Sequence, residues 1–152
     1  MPPAITENPD LRADANRLAD TITVLQRCFL GNLCKELARG DITIPQYCLL
    51  SHLSQSESLT MSAIAQKMEH TTAAATGLID RLEALGYVKR VPAQEDRRKI
   101  NVLITPRGTE LVSQIREDMI QNLMEILQTM PCAEQKMWVQ IYDKILCHCS
   151  SK

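Results

Sequence analysis

Between residues 61 and 104 the hydrophobic period of this 152-residue chain switches from helix-like to strand-like, and few folds accommodate that switch. Met61 to Glu69 carries Ile64, Ala65 and Met68 at helical spacing. A break at His70-Thr71 follows. Thr72 to Leu85 then places Ala75, Leu78, Ile79, Leu82 and Leu85 on one face, and Gly86 stops it. Two short helices around a tight break form either a helix-turn-helix or an ordinary αα-hairpin. The next segment separates these readings. Tyr87 to Val91 has strand composition, Pro92 to Arg97 is turn-rich, and Lys99 to Ile104 alternates Ile100, Val102 and Ile104 against Lys99 and Asn101. A β-hairpin directly after the second helix is the order of a winged helix-turn-helix.

The flanks are helical. Leu11, Ala15, Leu18, Ile22, Leu25 and Phe29 are spaced 4-3-4-3-4, a coiled-coil-like seam on a helix expected from Asp10 to Ala38, with Gly40 as its C-cap. Residues 1–9 are proline-rich and expected to fray. Thr43 suits an N-cap, Pro45 the first turn, and Tyr47 to Leu53 continue that second helix. Ser54 to Ser58 is polar loop, and Leu59-Thr60 a very short strand. Thr105-Pro106 opens another helix, with Leu111, Ile115, Met119, Leu123, Ile126 and Leu127 apolar. Pro131 breaks it before a last helix from about Ala133 to Cys149, carrying Met137, Trp138, Ile141 and Ile145. A seam of this length on a small protein needs a partner surface, either a distant helix or another chain. The expected class is therefore mainly α: a winged helix-turn-helix at 41–107, flanked by N-terminal (1–40) and C-terminal (108–152) helices.

The formal net charge is −1, which on average argues against a nucleic-acid partner. The distribution reverses that inference. From Gly86 to Arg107 six bases (Lys89, Arg90, Arg97, Arg98, Lys99 and Arg107) stand against two acids, a local +4. A basic hairpin beside a helix-turn-helix is the electrostatic footprint of a duplex-DNA reader. A solvated hairpin would carry charges of either sign. A winged helix used only for protein contact has the same fold order without that bias.

At these residues the chain resembles the MarR family of bacterial transcription regulators. Leu82-Glu83-Ala84-Leu85-Gly86-Tyr87-Val88-Lys89-Arg90, Asp96-Arg97-Arg98 and Val102-Leu103-Ile104-Thr105-Pro106-Arg107-Gly108 carry the resemblance, with Ile42-Thr43 and Gln46 at the opening of the second helix. Ile104 replaces a usual Leu, and Lys99 a usual small residue that here adds positive charge. The resemblance implies a cytoplasmic homodimer on a pseudo-palindromic double-stranded operator, often a repressor, released by a small aromatic or phenolic ligand or by thiol oxidation. It gives Arg98 the role of a minor-groove contact with Asp96 as its orienter. Two residues apart on one hairpin strand, the carboxylate can hold the guanidinium in a fixed pose; the alternative is a plain surface ion pair. Arg97 and Lys99 are expected on phosphates.

The recognition helix is notable for what it lacks. Its outer face carries Thr72, Ala73, Thr76, Gly77 and Asp80, with Arg81 at the edge, and no Arg, Asn or Gln for bidentate base contacts. Thr72 and Thr76 can bond to bases or phosphates, Ala73 can touch a thymine methyl, Gly77 allows close backbone approach, and Arg81 reaches a phosphate. Specificity is then expected to lean on the wing and on DNA shape.

The ligand cleft of the family would place Arg17, Tyr47 and His52 among its polar groups, against ordinary surface or packing roles for each. Cys28 is the candidate redox residue, although peroxide-sensing relatives carry theirs nearer the start of the first helix. The six cysteines form no CxxC pair and are expected as small buried hydrophobes. Cys147-His148-Cys149 cannot ligate one ion on an intact helix, since i and i+2 diverge by ~200°; no metal or cofactor is expected. No phosphate loop, nucleophile elbow or paired-carboxylate motif is present, so an enzyme is not expected. No run approaches the ~18 apolar residues of a membrane span.

Overall fold

The computed structural model describes residues 9–56, 58–93 and 99–150, with the backbone alone at 28–30 and 32. The first eight residues of the expected frayed start, and the hairpin tip with Asp96, Arg97 and Arg98, lie outside the described residues, as does the side chain of Cys28. Two compact units divide the chain, one up to Val112 and one from Ser113.

In the first unit α1 (Pro9–Arg39) leads to α2 (Ile44–Ser54), β1 (Leu59–Thr60), α3 (Met61–Lys67), α4 (Thr72–Ala84), β2 (Val88–Pro92), β3 (Ile100–Ile104) and the start of α5 (Pro106–Gln128). The strands form one antiparallel sheet in the order β1-β3-β2. Val88 pairs with Ile104, Arg90 with Val102 and Pro92 with Ile100, while Leu59 meets Val102 from the other side. The helix-turn-helix, the hairpin and the two-residue strand all stand where the hydrophobic pattern predicts them.

The core lies between α2, α3, α4 and the sheet. Leu49, Leu50, Leu53, Ile64, Ala75, Ile79, Leu82 and Val102 are fully buried. Each large side chain among them contributes roughly 1.5–3 kcal/mol by leaving water. Leu78 and Leu85 are only half-buried, so the inner face of α4 is narrower than its leucine spacing suggests. Ile100 departs further from expectation and is exposed. It pairs only with Pro92, whereas β1 covers β3 no farther than Asn101 and Val102.

Helix ends follow local chemistry. Gln46 is buried because its amide oxygen accepts the Thr43 N–H at 2.8 Å, completing the N-terminus of α2. Thr60 and Thr71 cap α3 and α4, each accepting the backbone N–H three residues on at 3.2 Å. Three helices end in the same left-handed cap, in which the residue after the C-cap has positive φ and the next N–H returns to the helix. At α4 that residue is Gly86 (φ 76), with Tyr87 N–H on Leu82 O. At α1 it is Asp41 (φ 53), not Gly40. Gly40 is needed for space instead: a β-carbon there would lie 2.8 Å from a Leu111 methyl. At α3 it is Glu69 (φ 52), with His70 N–H on Ala65 O.

A β-carbon in the left-handed region costs about 1–2 kcal/mol, part of which glycine returns as backbone entropy. Glu69→Gly is therefore expected to stabilise by about 0.5–1 kcal/mol. Its thermal midpoint should rise by roughly 1–4 °C in a circular-dichroism melt. An unchanged or lower midpoint would show that Glu69 carries no strain.

In the second unit the rest of α5 is followed by α6 (Cys132–Ser150). The Gln135 amide closes the turn between them by donating to Leu127 O and Met130 O, both at 2.9 Å. None of α6 is buried. Met137, Val139, Ile141, Tyr142, Ile145 and Leu146 are all exposed, as are Leu11, Leu18, Ile22 and Leu25 of α1. The cysteines follow their helices: Cys34, Cys132, Cys147 and Cys149 are exposed and Cys48 half-buried, all as thiols. Among the described cysteines the expectation of burial fails, because three of them sit on α6, none of whose residues is buried. No helix among the described residues is long and apolar enough to cross a membrane.

Candidate nucleic-acid interface

The outer face of α4 is small and open. Thr72, Ala73 and Gly77 are exposed, and Thr76 is half-buried with its hydroxyl donating to Thr72 O at 2.8 Å. No heavy atom lies within 4 Å of where a Gly77 β-carbon would stand, so nothing in the chain requires glycine there. Glycine in a helix interior costs about 1 kcal/mol relative to Ala.

Beside α4 the hairpin presents Lys89 and Lys99 to solvent, and the Ala93 N–H to Lys99 O bond (2.9 Å) closes the described part of the ladder. At the hairpin exit the exposed Arg107 stacks over the Tyr87 ring with 5.0 Å to the centroid. The buried Tyr87 hydroxyl donates to Gly40 O at 3.1 Å. Thr105 then fixes the start of α5. Its hydroxyl donates to Gly86 O at 2.7 Å, and its oxygen accepts the Gly108 N–H at 3.2 Å.

One relation between helix and wing is invisible in the sequence. Arg90 of β2 is clamped by two carboxylates of α4. Its N–H donates to Glu83 Oε1 at 3.0 Å, and its guanidinium donates to Glu83 Oε2 and to Asp80 Oδ1. Partial burial works against the Arg90 charge, but the bonds to Asp80 and Glu83 outweigh it and hold the guanidinium above its ordinary value. Arg90 therefore counts in the local +4 only formally, since its charge is satisfied within the fold. Arg81 is also engaged, by Asp41. Of the hairpin's own described bases, Lys89 and Lys99 on the wing and Arg107 on Tyr87 are exposed and stand outside the ion pairs of Arg81 and Arg90.

Of the other expected residues, Arg17 is exposed on α1, while Tyr47 and His52 are half-buried on α2. Five positions apart, the last two diverge by about 140° around that helix. No group of three or more His, Cys, Asp or Glu among the described residues is arranged to hold a metal ion.

The MarR family model matches residues 40–99, from the corner after α1 to the residue before β3. Over 119 residues the chain is 32% identical to the helix-turn-helix transcriptional regulator PrsX of Escherichia coli, covering 77% of this chain and 72% of PrsX. The chain belongs to the MarR family. Against two other curated helix-turn-helix transcriptional regulators, YfiV of Bacillus subtilis and PapX of Escherichia coli, the match spans 54% and 65% of their length. Solved structures agree on the fold. A MarR family protein from Bacillus stearothermophilus superimposes with a TM-score of 0.80 at 21% identity, over 94% of this chain and 98% of that one. The Staphylococcus aureus MepR–DNA complex gives 0.64 at 23% identity, over 80% and 98%. The Thr71-capped α4, the Gly86 turn and β2 all fall within the stretch that the family model matches.

Proposed function

We propose that this MarR-family chain is a cytoplasmic, homodimeric, sequence-specific DNA-binding transcriptional regulator, a repressor whose operator binding is modulated by a small aromatic or phenolic ligand. The observation that carries the reading is the open α4 face beside a wing whose lysines point outward. MepR, of the same fold, was solved on DNA, and PrsX is named a transcriptional regulator. On this reading Thr72, Ala73, Thr76 and Gly77 approach the major groove. Arg97 and Lys99 meet phosphates, and Arg98, oriented by Asp96, enters the minor groove.

The homodimer rests on the exposed apolar residues of α1 and α6. On α6, Met137, Ile141, Ile145, Trp138, Tyr142, Leu146 and Val139 span roughly 200° of the helix surface at 100° per residue. That is too wide an apolar arc for a helix facing solvent, and a second copy of the chain covers it. The domain assignment follows: a dimerisation helix at 1–40, the DNA-binding domain at 41–107 and dimerisation helices at 108–152. Arg17, Tyr47 and His52 are the polar groups proposed for the ligand.

The test is selection of bound duplexes from a random-sequence pool, followed by anisotropy titration over a salt series. The logarithm of affinity should fall linearly with the logarithm of salt concentration. Arg98→Ala should lose more affinity than Thr76→Ala at fixed salt; equal or reversed losses would return specificity to the helix. Duplex binding that is absent or indifferent to salt would make the wing a protein-contact module.

Thiol oxidation as the modulating signal is a second reading, favoured by the exposure of Cys34, Cys132, Cys147 and Cys149. Operator affinity before and after hydroperoxide, with a Cys28→Ser control, tests it.

A further inference from the structure

Asp41 stands where two local rules disfavour it. It occupies the left-handed position after α1 (φ 53), which suits glycine best, and it puts a carboxylate at a helix C-terminus, where the macrodipole favours cations. A residue that breaks local rules marks a compensating role elsewhere. Here the compensation is visible: the Asp41 carboxylate accepts a bond from Arg81 Nη2 on α4, forty residues away.

The base from which Asp41 projects is rigid. Asp41 N–H bonds Ala38 O at 3.3 Å, and Ile42 N–H bonds Leu37 O at 3.1 Å. Next to it, Gly40 O accepts the Tyr87 hydroxyl, and the Gly40 backbone packs against Leu111 so closely that a β-carbon would have to displace its methyls. The corner after α1 is thereby tied to the root of the wing, to the start of α5 and to the recognition helix.

The pair is not a stability device. Half of the Arg81 side chain and 73% of the Asp41 side chain are exposed, and such surface pairs add little to folding. We infer that Asp41 is a positioning residue: it holds Arg81 at the edge of the recognition helix, ordered in advance for a DNA phosphate. The inference rests on the DNA-binding reading. One bond to Asp41 leaves other guanidinium donors for a phosphate, since arginine carries five. Ordering an arginine from free rotation costs up to about a 30-fold factor in affinity. A carboxylate about 8 Å from a phosphate repels it by only about a factor of two at the dielectric of water, and by less in salt. Positioning outweighs repulsion.

Asp41→Gly removes the carboxylate while suiting the left-handed backbone, and Asp41→Asn keeps a neutral acceptor. Both are compared with Arg81→Ala and the Asp41→Gly/Arg81→Ala double variant by anisotropy titration on a selected duplex across a salt series. Arg81→Ala should weaken binding about 5- to 10-fold and make the salt slope shallower by about one. Asp41→Gly should weaken it about 3- to 5-fold with the slope unchanged and the thermal midpoint unchanged or raised. Asp41→Asn should fall between, and the double variant should match Arg81→Ala. Tighter binding by Asp41→Gly would make the carboxylate a mask and overturn the inference, as would additive losses in the double variant or an unchanged slope in Arg81→Ala. A wild-type chain that binds no duplex in a salt-dependent manner overturns the DNA reading itself and this assignment with it.

Discussion

Gly108→Ala is expected to destabilise the chain by about 1–3 kcal/mol, although alanine is the better helix former. A β-carbon at Gly108 would lie 2.3 Å from the carbonyl oxygen of Tyr87 and 2.8 Å from an Ile104 side-chain carbon. The first neighbour is backbone and cannot rotate aside. That same carbonyl accepts the Thr105 N–H at 2.9 Å, and Thr105 in turn caps α5 through the Gly108 N–H. Moving it therefore strains the junction of wing and helix. Overpacking costs roughly 1–3 kcal/mol, and loss of the Thr105 bond about 1 kcal/mol more. The gain in helix propensity returns about 1 kcal/mol. For a chain of this size the thermal midpoint should fall by roughly 2–12 °C. A calorimetric melt within 1 °C of wild type would show that the junction yields freely. Gly77→Ala is the control, because its β-carbon meets nothing and the helix should gain.

Gly86 was visible in the sequence as a helix stop, because it follows an apolar helical face and precedes a strand. Thr105-Pro106 announced α5 in the same way, as a capping threonine and a proline at the first helical position. Local signals of this kind placed α2, α4, the hairpin and α5. What escaped depends on how far a partner element extends or on which side chains meet across space. The alternation of Ile100, Val102 and Ile104 sets a common side for all three, yet β1 ends before it can cover Ile100. Glycine at position 40 looked like the left-handed cap, but its α1 helix runs on by one residue and hands that conformation to Asp41. Cysteine count carries no information on burial when the helix that bears three of them packs against little of its own chain. The basic surplus of the hairpin was legible as a sum, whereas the carboxylates of α4 that neutralise part of it lie on another element. Three of the four expected wing residues, Asp96, Arg97 and Arg98, fall outside the described residues, so the wing's chemistry rests on the sequence and its geometry on the strands that lead to it.

That distinction sets the expected behaviour of Arg90→Ala. Counted as a wing cation, Arg90 would be a phosphate contact, and its loss would lower the salt slope of duplex binding by about one. Placed as the fold places it, Arg90 reaches no phosphate. It holds β2 to α4 through Glu83 twice and Asp80 once. Removing it does two things to the reading surface. The wing loses the bonds that fix its angle to the recognition helix, and two carboxylates on that helix lose their counter-charge. The folding cost should be modest, about 1–2 kcal/mol, because Asp80 is 60% and Glu83 38% exposed and solvent screens both. The cost in binding should be larger, about 10- to 100-fold, since a displaced wing misses its groove and Asp80 and Glu83 repel the backbone. Arg90→Lys should recover part of it, as an ammonium supplies charge without the planar fork that spans two acceptors. The deciding measurement is the salt series: a large loss of affinity with the slope nearly unchanged marks a clamp, and a slope lower by one marks a contact. A clamp also means that the adjacent Lys89 and Arg90 divide their labour, the lysine outward to solvent and the arginine inward to the helix, as the alternation of a strand requires.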